Sequence, residues 1–188
     1  MPPPAYRWRD GLIASDPAAI RALVESTGFF RADEAGVAEE LALAALREGP
    51  ASGYRFLLAS PPGDDPAPPP AGYACFGPIP CTVRRYDLYW IAVSPGHQGQ
   101  GLGKALLAAS LERMADLGGV TCYAETSGTD RYLPTRRFYE RTGGRQAARV
   151  PGYYDDGDDM VIYAWNLRPD GERGGRRDRH PAGEAVFP

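Results

Sequence analysis

Long apolar runs are missing from this chain. No stretch of about 18 consecutive apolar residues occurs, which excludes an ordinary transmembrane helix. The opening MPPPAYRWRDG has no apolar core of the kind a secretory signal carries. Cysteine is scarce. Cys75, Cys81 and Cys122 follow no metal-binding spacing and cannot all pair, so they suit a reducing compartment and read as strand packing. From these absences we expect a cytoplasmic protein with no metal and no membrane partner. An excess of one charge is also absent: the net charge is −3 over 188 residues, which excludes bulk attraction to nucleic acid. Lysine is nearly absent too, with Lys104 the one exception. The arginine preference reads as base composition. Finally, no G-X-Y period accompanies the 23 Gly and 19 Pro, which excludes collagen.

What is there is punctuated and compact. Prolines cluster in an N-terminal tip (1–5) and in the loop PPGDDPAPPP, which cannot feed a sheet or a helix interior. The segment 168–188 is rich in Gly and Arg and reads as a disordered tail. One folded domain is expected between them, over 6–167. Arg7 to Arg9 suggests a short strand. DPAAIRALVESTG and DEAGVAEELALAALREG each carry helix start and stop signals, the second with an apolar stripe through Val37, Leu41 and Ala44/Ala45. Segments 54–60, 72–77 and 86–93 read as antiparallel strands. A glycine turn then feeds a helix, followed by a strand (120–126), a short helix (133–144) and strands at 147–150 and 160–167. This alternation predicts an α/β (α+β) protein with a mixed, mostly antiparallel central sheet flanked by helices.

The turn His97-Gln98-Gly99-Gln100-Gly101-Leu102-Gly103-Lys104 lies between a strand and a helix. Glycines there permit positive φ, and a helix N-terminus offers unpaired N–H groups to an anion. A phosphate or pyrophosphate cradle is one reading; a turn whose glycines only relieve strain is the other. Walker A spacing fails by one residue, and Ala105 stands where Ser or Thr is required. The dinucleotide fingerprint fails because the spacing is G-x-G-x-G.

Two motifs together are more specific. Gln98-x-x-Gly101-x-Gly103, shortly after Val93, is similar to the acetyl-CoA signature Q/R-x-x-G-x-G/A of the GNAT N-acetyltransferases. Phe138-Tyr139-Glu140-Arg141-Thr142-Gly143-Gly144 resembles the FYE+xGF helix end of that family, with Gly144 where Phe is usual; we expect looser packing there. The resemblance covers roughly 6–167 and implies the GNAT fold. It further implies acyl transfer from acetyl-CoA to a primary amine of a small molecule or peptide by direct transfer. A non-catalytic acyl-CoA-binding module is the alternative, and a homodimer is compatible with the family.

The resemblance also implies roles. Ile91 and Val93 end the strand beside the thioester, the Val93 N–H facing its carbonyl. Gln98, Gly99, Gln100, Gly101, Leu102, Gly103 and Lys104 hold the pyrophosphate, with Lys104 equally readable as a solvated helix residue. Tyr139 is the general acid that protonates the leaving thiolate, or else a core aromatic beside Phe138. For the general base the candidates are Asp87, Glu125 or a water. Strand alternation places Asp87, Tyr89, Ile91 and Val93 on one face. Glu125 could instead pair with Arg136 or Arg137. Phe29 and Phe30 are expected to wall the acceptor site or to pack inward. Tyr153 and Tyr154, in an aromatic and acidic turn running through Asp159, could form its rim or simply a solvated hairpin. His97 reads as a loop residue.

Overall fold

The computed structural model describes residues 5–65 and 67–168. Most of the expected tip and nearly all of the expected tail lie outside those residues. The chain runs β1 (Arg7–Asp10), α1 (Asp16–Ser26), α2 (Ala32–Glu48), β2 (Arg55–Ser60), β3 (Gly72–Pro78) and β4 (Arg85–Val93). It continues with α3 (Leu102–Asp116), β5 (Thr121–Ser127), α4 (Leu133–Arg141), β6 (Arg145–Asp155) and β7 (Asp158–Asn166). The strands form one seven-stranded sheet in the order β1-β2-β3-β4-β5-β7-β6. Every neighbouring pair is antiparallel except β4 with β5.

Local chemistry explains the helix starts. Pro17 occupies the first turn of α1, where its missing N–H costs nothing. The buried Asp16 carboxylate accepts the Ile13 N–H at 2.6 Å and a two-pronged bond from Arg9 at 2.7 and 2.8 Å, so its charge is matched. At α2, the Glu34 carboxylate reaches back to the Arg31 N–H at 2.7 Å. The buried side of α2 is Ala35, Ala38 and Ala42, with Leu41 and Ala45 half-buried. Val37, expected in the stripe, is 46% exposed. Small alanines let α2 lie close to α1, and the bulkier side chains turn outward.

Helices cover both faces of the sheet. Ile20, Val24, Ala38 and Ala42 of α1 and α2 pack on Phe56, Leu58, Tyr73 and Cys75. Leu102, Leu106, Leu107, Met114 and Tyr139 of α3 and α4 pack on Leu57, Ala74, Phe76, Cys122, Tyr163 and Trp165. Cys75 and Cys122 are buried as expected, but Cys81 is exposed in the loop before β4.

Two features of the sheet position the site. First, β4 and β5 pair only from Arg85–Asp87 to Thr121–Tyr123. Beyond that fork β4 continues to Val93 and β5 to Ser127 without pairing to each other, which leaves a cleft between them. Second, β4 carries a bulge. Cys75 is partnered with Trp90 and Phe76 with Leu88, so Tyr89 is an extra residue. Leu88 faces the α3/α4 core before the bulge, and Ile91 and Val93 face it afterwards. Asp87 and Tyr89 therefore lie on the opposite face, and the expected single line from Asp87 to Val93 does not exist.

Candidate active site

The glycine turn sits at the rim of the cleft. A short 3-10 turn, Pro95–His97, follows β4, and the side-chain amide of Gln98 donates to the Val93 carbonyl at 2.9 Å. Gly99 and Gly101 adopt φ of 73° and 84°, the left-handed region that an L side chain enters at a cost of about 1–2 kcal/mol. A Cβ added at either meets nothing within 4 Å, so the space over the turn is open. The first ladder bond of α3 runs from the Ala105 N–H to the Gly101 carbonyl, 3.0 Å. The N–H groups of Leu102, Gly103 and Lys104 precede that bond and are left for an external acceptor. Open space plus unpaired donors at a helix start fit a pyrophosphate.

Two residues buttress the turn from outside. Tyr6 hydrogen-bonds His97 Nδ1 at 3.0 Å, and the rings meet edge-on at 5.6 Å. His97 is thus a loop residue held in place, as expected. Tyr6 was not legible as part of this site, because its contact spans 91 positions.

Tyr139 lies inside the α3/α4 core, 5% exposed, among Phe138, Tyr163 and Trp165 at centroid distances of 5.7, 5.5 and 5.2 Å. Its hydroxyl makes no hydrogen bond among the described residues, and it is not one of the polar atoms sealed away from solvent without a partner. Burial pushes its pKa well up, with Cys122 and Tyr154 adding to the rise. The phenol is therefore protonated throughout the neutral range, the state an acid needs.

At the fork, Asp87 is half-buried on β4 and its pKa is raised to about 6, first by burial and then by Glu125. Glu125 is exposed on β5. It does not pair with Arg136, whose guanidinium donates at 2.7 Å to the carbonyls of Ser127 and Thr129. Among the described residues no salt bridge reaches Asp87 or Glu125.

Phe29 and Phe30 are half-buried between α1 and α2. Phe30 meets Trp90 at 5.2 Å, and Phe29 meets Tyr132 at 4.7 Å with the Arg131 guanidinium 5.5 Å from its ring centre. Arg131 also donates to the Phe29 carbonyl. Trp90, Arg131 and Tyr132 were not singled out in the sequence, where they look like ordinary strand and loop residues. Tyr153 and Tyr154 belong to β6 and not to the turn, which is only Asp156–Gly157. Their rings meet edge-on at 5.0 Å.

The sequence matches the Acetyltransferase (GNAT) family over residues 29–144. A candidate GNAT acetyltransferase from Desulfovibrio desulfuricans is 46% identical, with a TM-score of 0.82, covering 87% of this chain and 100% of its own. The chain belongs to the GNAT acetyltransferase family. Other acetyltransferase structures share the fold at lower identity. A candidate acetyltransferase from Salmonella typhimurium, solved with acetyl-CoA, is 18% identical with a TM-score of 0.67, over 94% of this chain and 99% of that one. An aminoglycoside 6'-N-acetyltransferase bound to coenzyme A is 15% identical with a TM-score of 0.62, over 86% and 98%. No curated protein matches the sequence.

Against the GNAT pattern, Gly144 departs from the usual Phe, but packing there is not loose. A Cβ at Gly144 would stand 2.6 Å from Trp165 Cζ2, and Trp165 Nε1 donates to the Thr142 carbonyl at 3.1 Å. The indole of β7 fills the space.

Proposed function

We propose that this GNAT domain, residues 6–167, transfers the acetyl group of acetyl-CoA directly to a primary amine while both substrates are bound. The observation that carries this reading is the fork of β4 and β5. It opens beside Tyr139, with the glycine turn at one rim and Asp87 at its base.

Each residue has a task. The N–H groups of the turn and of the first turn of α3 hold the pyrophosphate, and Lys104 adds a positive charge there. Ile91 and Val93 line the end of β4 against the acyl chain, and the Val93 N–H supports the oxyanion that develops on the carbonyl. The amine nitrogen forms a bond to the carbonyl carbon, and the carbon–sulfur bond breaks. An ammonium acceptor gives up two protons in becoming an amide. Asp87 accepts one, directly or through water, and releases it to solvent. Tyr139 delivers its proton to the departing sulfur, and the second proton lost by nitrogen returns, through water, to the phenolate so formed.

Magnitudes favour Asp87 over an ordinary carboxylate as the base. An alkyl ammonium titrates near ~10, so a carboxylate near ~4 is a poor acceptor; raising it to about 6 narrows the gap. Phe29 and Phe30 wall the acceptor side, with Tyr153 and Tyr154 at its rim.

The test is thiol release from acetyl-CoA with a panel of amines and peptides, alongside calorimetric titration of acetyl-CoA. Turnover with any amine supports the reading. Binding without turnover would favour a non-catalytic acyl-CoA module, and neither binding nor turnover would remove the proposal altogether.

A further inference from the structure

The turn between α1 and α2 bridges the two arms of the fork. On one side Phe30 lies against Trp90, ring centres 5.2 Å apart. Trp90 belongs to the arm of β4 that has already parted from β5, beyond the last paired residue, Asp87. On the other side Phe29 meets Tyr132 edge-on at 4.7 Å, and the Arg131 guanidinium stands 5.5 Å from the Phe29 ring centre. Arg131 and Tyr132 lie in the 3-10 turn Asp130–Tyr132 that follows β5. Phe29 and Phe30 touch each other edge-on at 5.4 Å, so four rings run without a break from the β4 arm to the far side of β5.

The two ends of this bridge are not equally firm. The connection after β5 is anchored to β7 and α4. The Gly128 N–H donates to the Asp159 carbonyl at 2.7 Å, and Arg136 donates to the carbonyls of Ser127 and Thr129. The α1–α2 turn holds mainly to itself. Its Phe29 N–H donates to Thr27 Oγ1 at 3.2 Å, and its Arg31 N–H donates to the Glu34 carboxylate. Among the described residues, the hydrogen bonds that tie its backbone to another element come from Arg131, which donates to the carbonyls of Gly28 (3.3 Å) and Phe29. No salt bridge reaches Arg131 among the described residues, so its guanidinium is committed to this turn. Seating the turn also carries a cost. The Trp90 indole N–H, against which Phe30 packs, is sealed from solvent with no partner among the described residues. The charged clamp offsets that cost.

We propose that Arg131 is a positioning residue for the acceptor: it clamps the α1–α2 turn across the fork, so that Phe29 and Phe30 stand as a preformed wall. The role rests on the acetyltransferase reading. Within it Arg131 acts through Phe29 and touches neither acetyl-CoA nor the reacting atoms. A turn that is seated only part of the time weakens apparent amine affinity by the seated fraction, so the effect falls on the KM of the amine.

The experiment measures kcat and both KM values with n-butylamine, benzylamine and 4-aminobutanoate as acceptors. Arg131→Ala is expected to raise the amine KM about 3- to 10-fold, by a similar factor for each amine, with kcat and the acetyl-CoA KM within about 2-fold. Arg131→Lys keeps a charged donor without the planar face and should recover part of the loss. In a Phe29→Ala background, where the wall ring is already gone, Arg131→Ala should add little. Backbone amides of residues 29–31 should exchange faster with solvent in Arg131→Ala, while Tm stays within about 2 °C. An unchanged amine KM overturns the proposal. So does a rise confined to 4-aminobutanoate, which would mark a direct contact with the substrate's carboxylate. A rise shared equally by acetyl-CoA, or a larger fall in Tm, would mark general loosening and overturns it as well. Amide exchange that Arg131→Ala leaves unchanged overturns the clamp itself. Absence of thiol release with every amine overturns the transferase reading, and the acceptor role with it.

Discussion

Gln98 is hinged on Val93. Its side-chain amide donates to the Val93 carbonyl at 2.9 Å, so the first residue of the GNAT signature is tied to the last residue of β4. The tie fixes where the glycine turn starts relative to the strand end proposed to face the thioester. Gln98→Ala is expected to raise KM for acetyl-CoA about 2- to 10-fold, the worth of one neutral hydrogen bond, with a smaller change in kcat. Initial rates at saturating amine check this; an unchanged KM would show that the tie does not position the turn.

Gly101 and Gly103 should respond oppositely to alanine. Gly101 caps α3 at φ 84°, so Gly101→Ala is expected to cost about 1–2 kcal/mol and to weaken acetyl-CoA binding. Gly103 is within the helix, and a Cβ there meets Val93 and Phe138 at ordinary contact distances of 3.7 and 3.8 Å. Gly103→Ala should hold or slightly raise Tm, by the helix preference of about 0.5–1 kcal/mol. Thermal melts with and without acetyl-CoA separate the two, and equal losses in both variants would contradict the geometry.

Tyr139→Phe removes one hydroxyl that has no partner among the described residues from a buried ring, so Tm should change little. Loss of a general acid should lower kcat by about 10²-fold or more. A variant with full activity would remove Tyr139 from the chemistry and leave it a core aromatic.

Asp87 gives stability a pH signature. Its folded pKa, about 6, lies above the ordinary carboxylate value. Between about 4 and 6 the folded chain keeps a proton that the unfolded chain has released, so stability falls as pH rises through that window and stays lower above it. Asp87→Asn should flatten this slope. The same ionisation should make wild-type kcat/KM climb through pH 6. Melting curves of both proteins from pH 4 to 7.5 (a range set by the two pKa values) test it, and parallel curves would refute the shift.

Gly144→Ala drives a methyl against the Trp165 indole, which is pinned by its bond to the Thr142 carbonyl. Overpacking of this kind costs about 1–3 kcal/mol, at roughly 2–4 °C in Tm per kcal/mol for a chain of this size. An unchanged Tm would mean that the indole can move aside.

Much of the fold was legible because it is written in local chemistry. The start of α1 follows from Pro17, the second helix expected from Asp33 begins one residue earlier at Ala32, and every strand found was foreseen at some length. The exceptions share one cause. In YDLYWIAV every residue suits a strand, so nothing marks Tyr89 as extra; the bulge belongs to the pairing of β4 with β3. At the other edge, the expected strand ended at Val150, just before Pro151 and Gly152. Yet β6 runs on to Asp155, because an edge strand tolerates a missing donor and its register shifts there.

The amino-acid order by itself determined the glycine turn, the FYER helix end and the family they imply, because left-handed backbone and helix caps demand particular residues at particular steps. It also supplied Asp87, Glu125 and Tyr139 as candidates without arranging them. Only the tertiary structure decided that arrangement. The bulge at Tyr89 turns Asp87 away from Ile91 and Val93, and the register of β4 on β5 sets Asp87 opposite Tyr123, at the last pair before the strands part and two residues short of Glu125. Both are matters of register between strands distant in the chain, where a shift of one residue moves a side chain to the other face.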